Sequence, residues 1–337
     1  MSEEHVTLHK YHINGGLSFF QKRSLKFIFS KIPLDSGAPR NFADGSNTII
    51  LEGHRAQVSI NINSGGFWGG CSGSIINVDD ALVNELSTLG IYPKPTGTIN
   101  KLTIMASNDR SPKKVQTFSK VFEGCIDTAA ADYNNQPDPA LIFTATAGGG
   151  LNILPCIPVS FSGEVKVVDI FKTIIANINR FSSADDPLIT SFENLGVNGI
   201  EKNPYYFGDG RRQLSACAEN NNVDMILSNG VLTVWPKNTD HQNIVNDKPI
   251  VVSYLNGMIG YPRYSQQGVI VETVYRNDLS FTRPYYVDSN IKKATGRYEK
   301  VVRITHNLTC NTSGGPWITE IELSTFGTIE GFGASGN

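Results

Sequence analysis

The sequence predicts a mainly β protein with an α+β insert: two β-rich regions separated by one small α/β segment. Three observations predict it. Charged residues make up 18% of the 337 residues while glycine reaches 32 copies. With abundant Asn, Ser and Thr, that composition suits strands and tight turns rather than a helical bundle. Apolar and polar residues alternate with period two in the first 150 residues and again beyond residue 249, the pattern of half-buried strands. A helical stripe appears between these regions, within residues 166–238.

Taken in order, Val58, Ile60 and Ile62 alternate with Gln57, Ser59 and Asn61, and Leu102, Ile104 and Ala106 with Lys101, Thr103 and Met105. Leu141, Phe143 and Ala145 repeat the pattern. A short helix is expected between the first two strands: Asp79 or Asp80 caps it, Leu82, Leu86 and Leu89 share a face, and Gly90 stops it. One helix among many strands points to a barrel or sandwich. Gly148-Gly149-Gly150, Pro155, Pro158 and Gly163 mark a boundary. Beyond it Val167, Ile170, Phe171, Ile174, Ile175 and Ile178 form one helical stripe, and a second helix starts near Asp209 and carries Leu214, Cys217 and Ala218. Met225–Leu227 and Val231–Trp235 then flank Asn229-Gly230, a pair suited to the positive φ angles of a hairpin turn, and Pro236 ends the second strand. After a polar stretch from Lys237 to Lys248, Val269, Val271, Thr273 and Tyr275 alternate, as do Trp317, Thr319, Ile321 and Leu323. The expected division is 1–150, a first β-rich unit; 151–248, a small α/β unit; 249–325, a second β-rich unit; and 326–337, a flexible glycine-rich tail.

The residues that could carry chemistry do not assemble into a known pattern. The net charge of −2 gives no global field to attract nucleic acid. Cys71, Cys125, Cys156, Cys217 and Cys310 are odd in number and widely spaced; they read as free thiols rather than a disulfide framework or CxxC site. His5, His9 and His12 could share a face but lack a Cys or acidic co-ligand, so a polar arm is expected. His306 reads as a hydrogen-bonded structural residue. Asp138 and Asp185-Asp186 sit in turn-like segments, and Arg211-Arg212 is a basic point, not a patch. Gly65-Gly66-Phe67-Trp68-Gly69-Gly70 is glycine-rich but has no Lys and follows a strand, unlike a phosphate loop. Gly65, Gly66, Phe67 and Trp68 read instead as an exposed contact loop for another subunit. No Gly-x-Ser-x-Gly elbow occurs. No catalytic residue, cofactor or metal is expected, nor a secretion signal or membrane span.

Several segments resemble the baseplate hub family of contractile-tailed bacteriophages. They are Val58–Ile62 with Gly65-Gly66 and then Asn84–Gly90; Val121–Ile126 with Ala131-Asp132-Tyr133; Asn229–Lys237; Gly257–Pro262 with Gly268-Val269; and Val301–Leu308 with Gly314-Gly315-Pro316-Trp317. They follow the family's order over residues 50 to 323, and the Phe67-Trp68-Gly69-Gly70 insert departs from the smaller, more polar loop of that family.

The resemblance implies two tail-tube-like β-barrel domains plus a small α/β domain, and a homotrimer. Three subunits with two barrels each would match a sixfold tail tube protein on one face and a threefold central spike protein on the other. It further implies contacts with the tape-measure protein and other baseplate proteins, transient DNA passage without specific binding, synthesis in the host cytoplasm and residence in the virion tail baseplate. The alternatives are a cell-wall hydrolase, a wall-binding component centred on residues 166–238, and the same hub role in a phage-derived secretion particle or bacteriocin.

Overall fold

The structure is a computed structural model, and it describes residues 23–33, 41–63, 68–87, 98–108, 117–134, 138–180, 182, 187–237 and 248–324. His5, His9, His12, Gly65, Gly66, Phe67, Leu89, Gly90, Asp185, Asp186, residues 238–247 and the 326–337 tail lie outside the described residues.

The first region contains β1 (Arg23–Pro33), β2 (Thr48–Glu52), β3 (Ala56–Asn63), β4 (Gly70–Ile76), α1 (Asp80–Leu86), β5 (Thr98–Asn108), β6 (Phe118–Asp132) and β7 (Ala140–Thr146). The middle contains β8 (Val159–Ser160), β9 (Glu164–Lys166), α2 (Val167–Asn179), β10 (Ser191–Asn194), β11 (Ile200–Lys202), β12 (Tyr205–Tyr206), α3 (Gly210–Asn220), β13 (Val223–Ser228) and β14 (Val231–Pro236). The last contains β15 (Ile250–Ser253), β16 (Met258–Tyr264), β17 (Gly268–Val274), β18 (Tyr285–Asp288), β19 (Gly296–Tyr298), β20 (Lys300–Cys310) and β21 (Trp317–Ser324).

One antiparallel sheet runs through both β-rich regions, in the order β16-β17-β21-β20-β3-β4-β7-β6-β5-β1-β2. Its central joint pairs β20 with β3, from Arg303 opposite Asn63 to Cys310 opposite Ala56. The sheet curls into a barrel-like half. Leu25 and Phe27 of β1 share a core with Leu308 and Cys310 of β20, and Arg23 Nη1 donates to the Gly315 carbonyl at 2.9 Å. The alternation explains this core: Val58, Ile60, Leu102, Ile104, Leu141 and Phe143 all point into it.

The second β core forms where the other end of the sheet packs on a small sheet of order β15-β18-β19. Val252, Val269, Val271, Tyr285, Val287, Ile321 and Leu323 fill it. Strands β20 and β21 serve both cores. Ile304 enters the second core and Leu308 the first, while Trp317 enters the first and Ile321 the second.

The α/β unit packs α2 and α3 with a sheet of order β10-β14-β13. Val167, Ile170, Phe171, Ile174 and Ile178 form the buried stripe of α2, and Ile175 lies at its half-buried margin. Asp209 caps α3, its carboxylate accepting from Arg212 N at 2.9 Å. The hairpin turn has Asn229 at φ 54° and Gly230 at φ 81°, the left-handed geometry that this residue pair tolerates. Core membership passes from the first β core at Ala147 to the α/β core at Leu151, across a one-turn 3₁₀ helix.

One boundary differs from expectation. Asp79 caps α1 by accepting from Ala81 N, but the helix ends at Leu86 rather than at Gly90. Ser87 adopts an extended conformation, and its hydroxyl donates to the Val83 carbonyl at 2.6 Å. That bond satisfies an end carbonyl and closes the helix without a glycine.

Candidate functional site

The described chemistry-bearing side chains are mostly engaged structurally. His306 is buried, with Nδ1 2.8 Å from Thr319 Oγ1 and its ring edge-on to Tyr275; burial lowers its pKa to about 4. Cys71, Cys125, Cys217 and Cys310 are buried free thiols and Cys156 is half-buried. Burial pushes Cys71 and Cys217 up to about 12, leaving them little thiolate character. Asp138 pairs with Arg55 at 3.2 Å. Among the described residues, no group of three or more His, Cys, Asp or Glu could hold a metal, and no helix is long and apolar enough to cross a membrane.

Of the expected contact loop, Trp68 alone is described. Its ring is half-buried rather than exposed and packs against the α/β core. The Arg211 guanidinium lies over it, 5.4 Å from the ring centroid. Arg211 and Arg212 are separated in role, because Arg212 covers the exposed Phe207 ring instead.

Nearby, the hairpin turn meets the first β core at a buried ion cluster. Lys101 Nζ lies 3.0 Å from Glu123 Oε1, and Lys120 pairs with the other carboxylate oxygen. Asn229 Nδ2 donates to the Lys120 carbonyl at 3.4 Å. Lys101 and Glu123 line a small pocket with Gly124, Gly148, Leu188 and Gly230. The cluster fixes one unit on another.

The surface features are extended faces. Exposed large side chains concentrate in residues 251–264: Val251, Tyr254, Leu255, Ile259, Tyr261 and Tyr264, with Tyr254 at 82% exposure. Tyr286 adds to them as the register partner of Val251. Arg276 holds this segment, donating to the carbonyls of Val251 and Asn256 at 3.0 and 3.2 Å. The turn is tied down by Thr273 Oγ1 donating to Gly257 O at 3.0 Å. Strand β16 is one edge of the large sheet. Pro262, without an N–H, and a register shift between Ile259 and Arg263 blunt it against indiscriminate strand addition. What remains is a row of rigid aromatic side chains, the residues enriched in protein interfaces. The opposite edge is β2, where Ile50 is exposed.

The outward face of the central strands is different in kind. Register partners set Thr128, Thr144, Ser72, Ser59 and Asn307 in one row across β6, β7, β4, β3 and β20. A neighbouring row holds Thr146, Gly70, Asn61 and Thr305, and another Ala130, Ile142, Ser74 and Gln57. Hydroxyl and amide groups bond across it: Thr128 to Thr144 at 2.7 Å and Thr305 to Asn61 at 2.8 Å. None of these positions is charged. Neither surface was identified from sequence. The first could have been signalled by Tyr254, Tyr261 and Tyr264 among Gly257, Gly260 and Pro262. The second needs the strand order, which periodicity does not contain.

No protein-family model matches the chain, and no curated protein matches it in sequence. Solved structures share its fold. The prophage MuSo2 43 kDa tail protein from Shewanella oneidensis aligns with a TM-score of 0.52 at 9% identity, covering 88% of this chain and 96% of that one. The tail protein from Neisseria meningitidis MC58 gives 0.51 at 11% identity, covering 89% and 97%. The E. coli c3393 protein, a type VI secretion system component with structural similarity to T4 bacteriophage tail proteins, gives 0.53 at 8% identity, covering 80% and 73%. At these identities the likeness is one of fold: this chain has the mainly β architecture, with its α/β insert, of phage tail proteins.

Proposed function

We propose that this chain is the structural hub of a contractile-tail baseplate, adapting the sixfold tail tube to the threefold central spike and performing no catalytic step. The observation that carries the reading is a tail-protein fold extending over nearly the whole chain and containing two β cores side by side in one subunit. In this reading residues 1–150 and 249–325 are the two tube-like units, with β20 and β21 lending one side to both, and residues 151–248 are the α/β unit. Three copies then supply six β units in a closed head-to-tail ring. The 251–264 aromatic segment is the surface best suited to contact a neighbouring subunit, because interfaces collect rigid aromatics. Gly65, Gly66 and Phe67 are proposed as a second contact, Trp68 being packed against the chain's own α/β core. The tube, spike, tape-measure and other baseplate proteins are its partners, and DNA passes through the ring without specific binding.

The reading is tested by the mass of the purified chain in solution and by electron microscopy of the chain mixed with its spike protein. A trimeric ring that caps the spike is expected. A chain that stays monomeric and joins neither tube nor spike proteins overturns the reading.

A wall-binding component is favoured by one observation. Tyr205 and Phe207 stack at 5.8 Å between centroids and are both exposed on the α/β unit, as aromatic sugar-binding platforms are. Retention of the whole chain on purified peptidoglycan, lost in Tyr205→Ala, would support it.

A further inference from the structure

The joint between the α/β hairpin and the first β core brings an amine, a carboxylate and a carboxamide together. One carboxylate, Glu123, serves two lysines: Lys101 Nζ lies 3.0 Å from Oε1, and Lys120 pairs with Oε2. Glu123 and Lys101 are buried, while the Lys120 side chain is 36% exposed. The β5–β6 register shifts between Ile104 and Met105, opposite Phe122 and Lys120. That bulge re-aims the strand and turns Lys120 and Glu123 to one face.

The hairpin tip completes the set. A Cβ added at Gly230 would lie 2.7 Å from Glu123 Oε1, so the backbone beside Asn229 is seated on the carboxylate. Asn229 Nδ2 donates to the Lys120 carbonyl at 3.4 Å, which puts this amide within the sweep of the Lys120 side chain. Its Oδ1 is buried with no hydrogen-bond partner, and an orphaned buried acceptor is costly to keep. Lys31 and Glu85 form a comparable pair beside Asn41, but that amide is exposed and donates to the Gly45 carbonyl. A lysine next to a second cation is also the setting that activates an amine as a nucleophile.

We propose that Lys120 and Asn229 join in an intramolecular isopeptide bond, formed once per chain, with Glu123 relaying the protons. Glu123 takes a proton from the Lys120 ammonium. The freed lone pair bonds to Asn229 Cγ, and the carbonyl π pair moves to Oδ1. Glu123 gives its proton to Nδ2 as the Cγ–Nδ2 bond breaks, and the carbonyl re-forms. The carboxylate then takes the second proton from the attached nitrogen and passes it to the departing ammonia. The products are a secondary amide and ammonium, and the step needs no oxidant, metal or co-reactant. The bond rivets the hairpin of the α/β unit to the first β core, and it is independent of the hub reading.

The test is intact-mass spectrometry of the purified, denatured full chain, followed by a protease digest. The expected wild-type mass is one ammonia below the sequence mass, and the digest contains a branched peptide joining Lys120 to Asn229. Lys120→Arg keeps the charge but not the nucleophile, and it should show its full sequence mass. So should Asn229→Gly, since glycine accepts the φ of 54° at this position. Wild-type chain at its full sequence mass overturns the proposal. Ammonia loss that persists in Lys120→Arg marks a succinimide at Asn229-Gly230 instead and also overturns it, as does a branch at Lys101. Should either variant fail to fold, the wild-type mass and branched peptide decide the question without it.

Discussion

Glu123 lies between Lys101 and Lys120 where the hairpin turn of the α/β unit meets the first β core. Lys101 and Glu123 are both almost fully buried, so removing one charge strands the other in a low-dielectric site. Glu123→Gln is expected to destabilise the protein by about 3–5 kcal/mol, while Lys101→Met with Glu123→Leu costs much less because no buried charge is left over. Guanidinium unfolding of the two variants checks the difference. His306 acts through pH. Its folded pKa of about 4 lies below the unfolded value of about 6.5, because burial disfavours the imidazolium. Between those values the unfolded chain binds the extra proton. The stabilisation is therefore complete above pH 6.5 and is lost as pH falls towards 4, a total of about 3 kcal/mol. His306→Gln, which keeps a side-chain partner for Thr319, should lose less stability than the wild type between pH 7 and pH 4.5. Equal losses in the two proteins would show that His306 does not titrate as its burial requires.

Elements were legible where their geometry is local. The Asn229-Gly230 hairpin, the Asp209 cap and the α2 stripe each follow from residues within one or two turns of each other. The end of α1 was not, because a serine hydroxyl replaced the expected glycine. The hairpin also carries a constraint that sequence does not contain. A Cβ at Gly230 would lie 2.7 Å from Glu123 Oε1 and 2.8 Å from Thr190 Oγ1. Gly163 has a similar positive φ of 85° with open space around it. Gly163→Ala is expected to cost about 1 kcal/mol from backbone strain alone. Gly230→Ala adds displacement of a buried ion cluster and should cost roughly twice that or more. Thermal or denaturant midpoints of the two variants compare them at matched backbone geometry, and equal losses would mean that the hairpin tip is not tightly seated.

At the scale of the whole molecule, alternation identified which residues face a core but not which strands are neighbours. The decisive pairing, β3 with β20, joins residues such as Asn61 and Thr305, 244 positions apart along the chain, and no periodic signal spans such a distance. For the same reason the polar face was invisible: Ser59, Ser72, Thr144 and Asn307 become one row only after the strands are ordered. The pairing also interlocks the three cores. Leu308, Cys310 and Trp317 complete the first; Ile226 and Trp235 of the hairpin enter the second; Ile32, Ile99 and Cys125 of the first region enter the α/β core. A cut between residues 248 and 249 would therefore leave neither piece with a finished interior. Fragment 1–248 would expose the β3 edge and the apolar surface that Trp317 covers, and fragment 249–337 would lack the strand that anchors β20. Each fragment expressed alone is expected to aggregate or remain unfolded, since open edges and half-cores associate non-specifically. Co-expressed, the two should assemble into a soluble complex with a single unfolding transition. Circular dichroism melting and size-exclusion chromatography read both outcomes. A cooperative melt of fragment 1–248 by itself would mean that the central joint is a contact between independent domains rather than part of one folding unit.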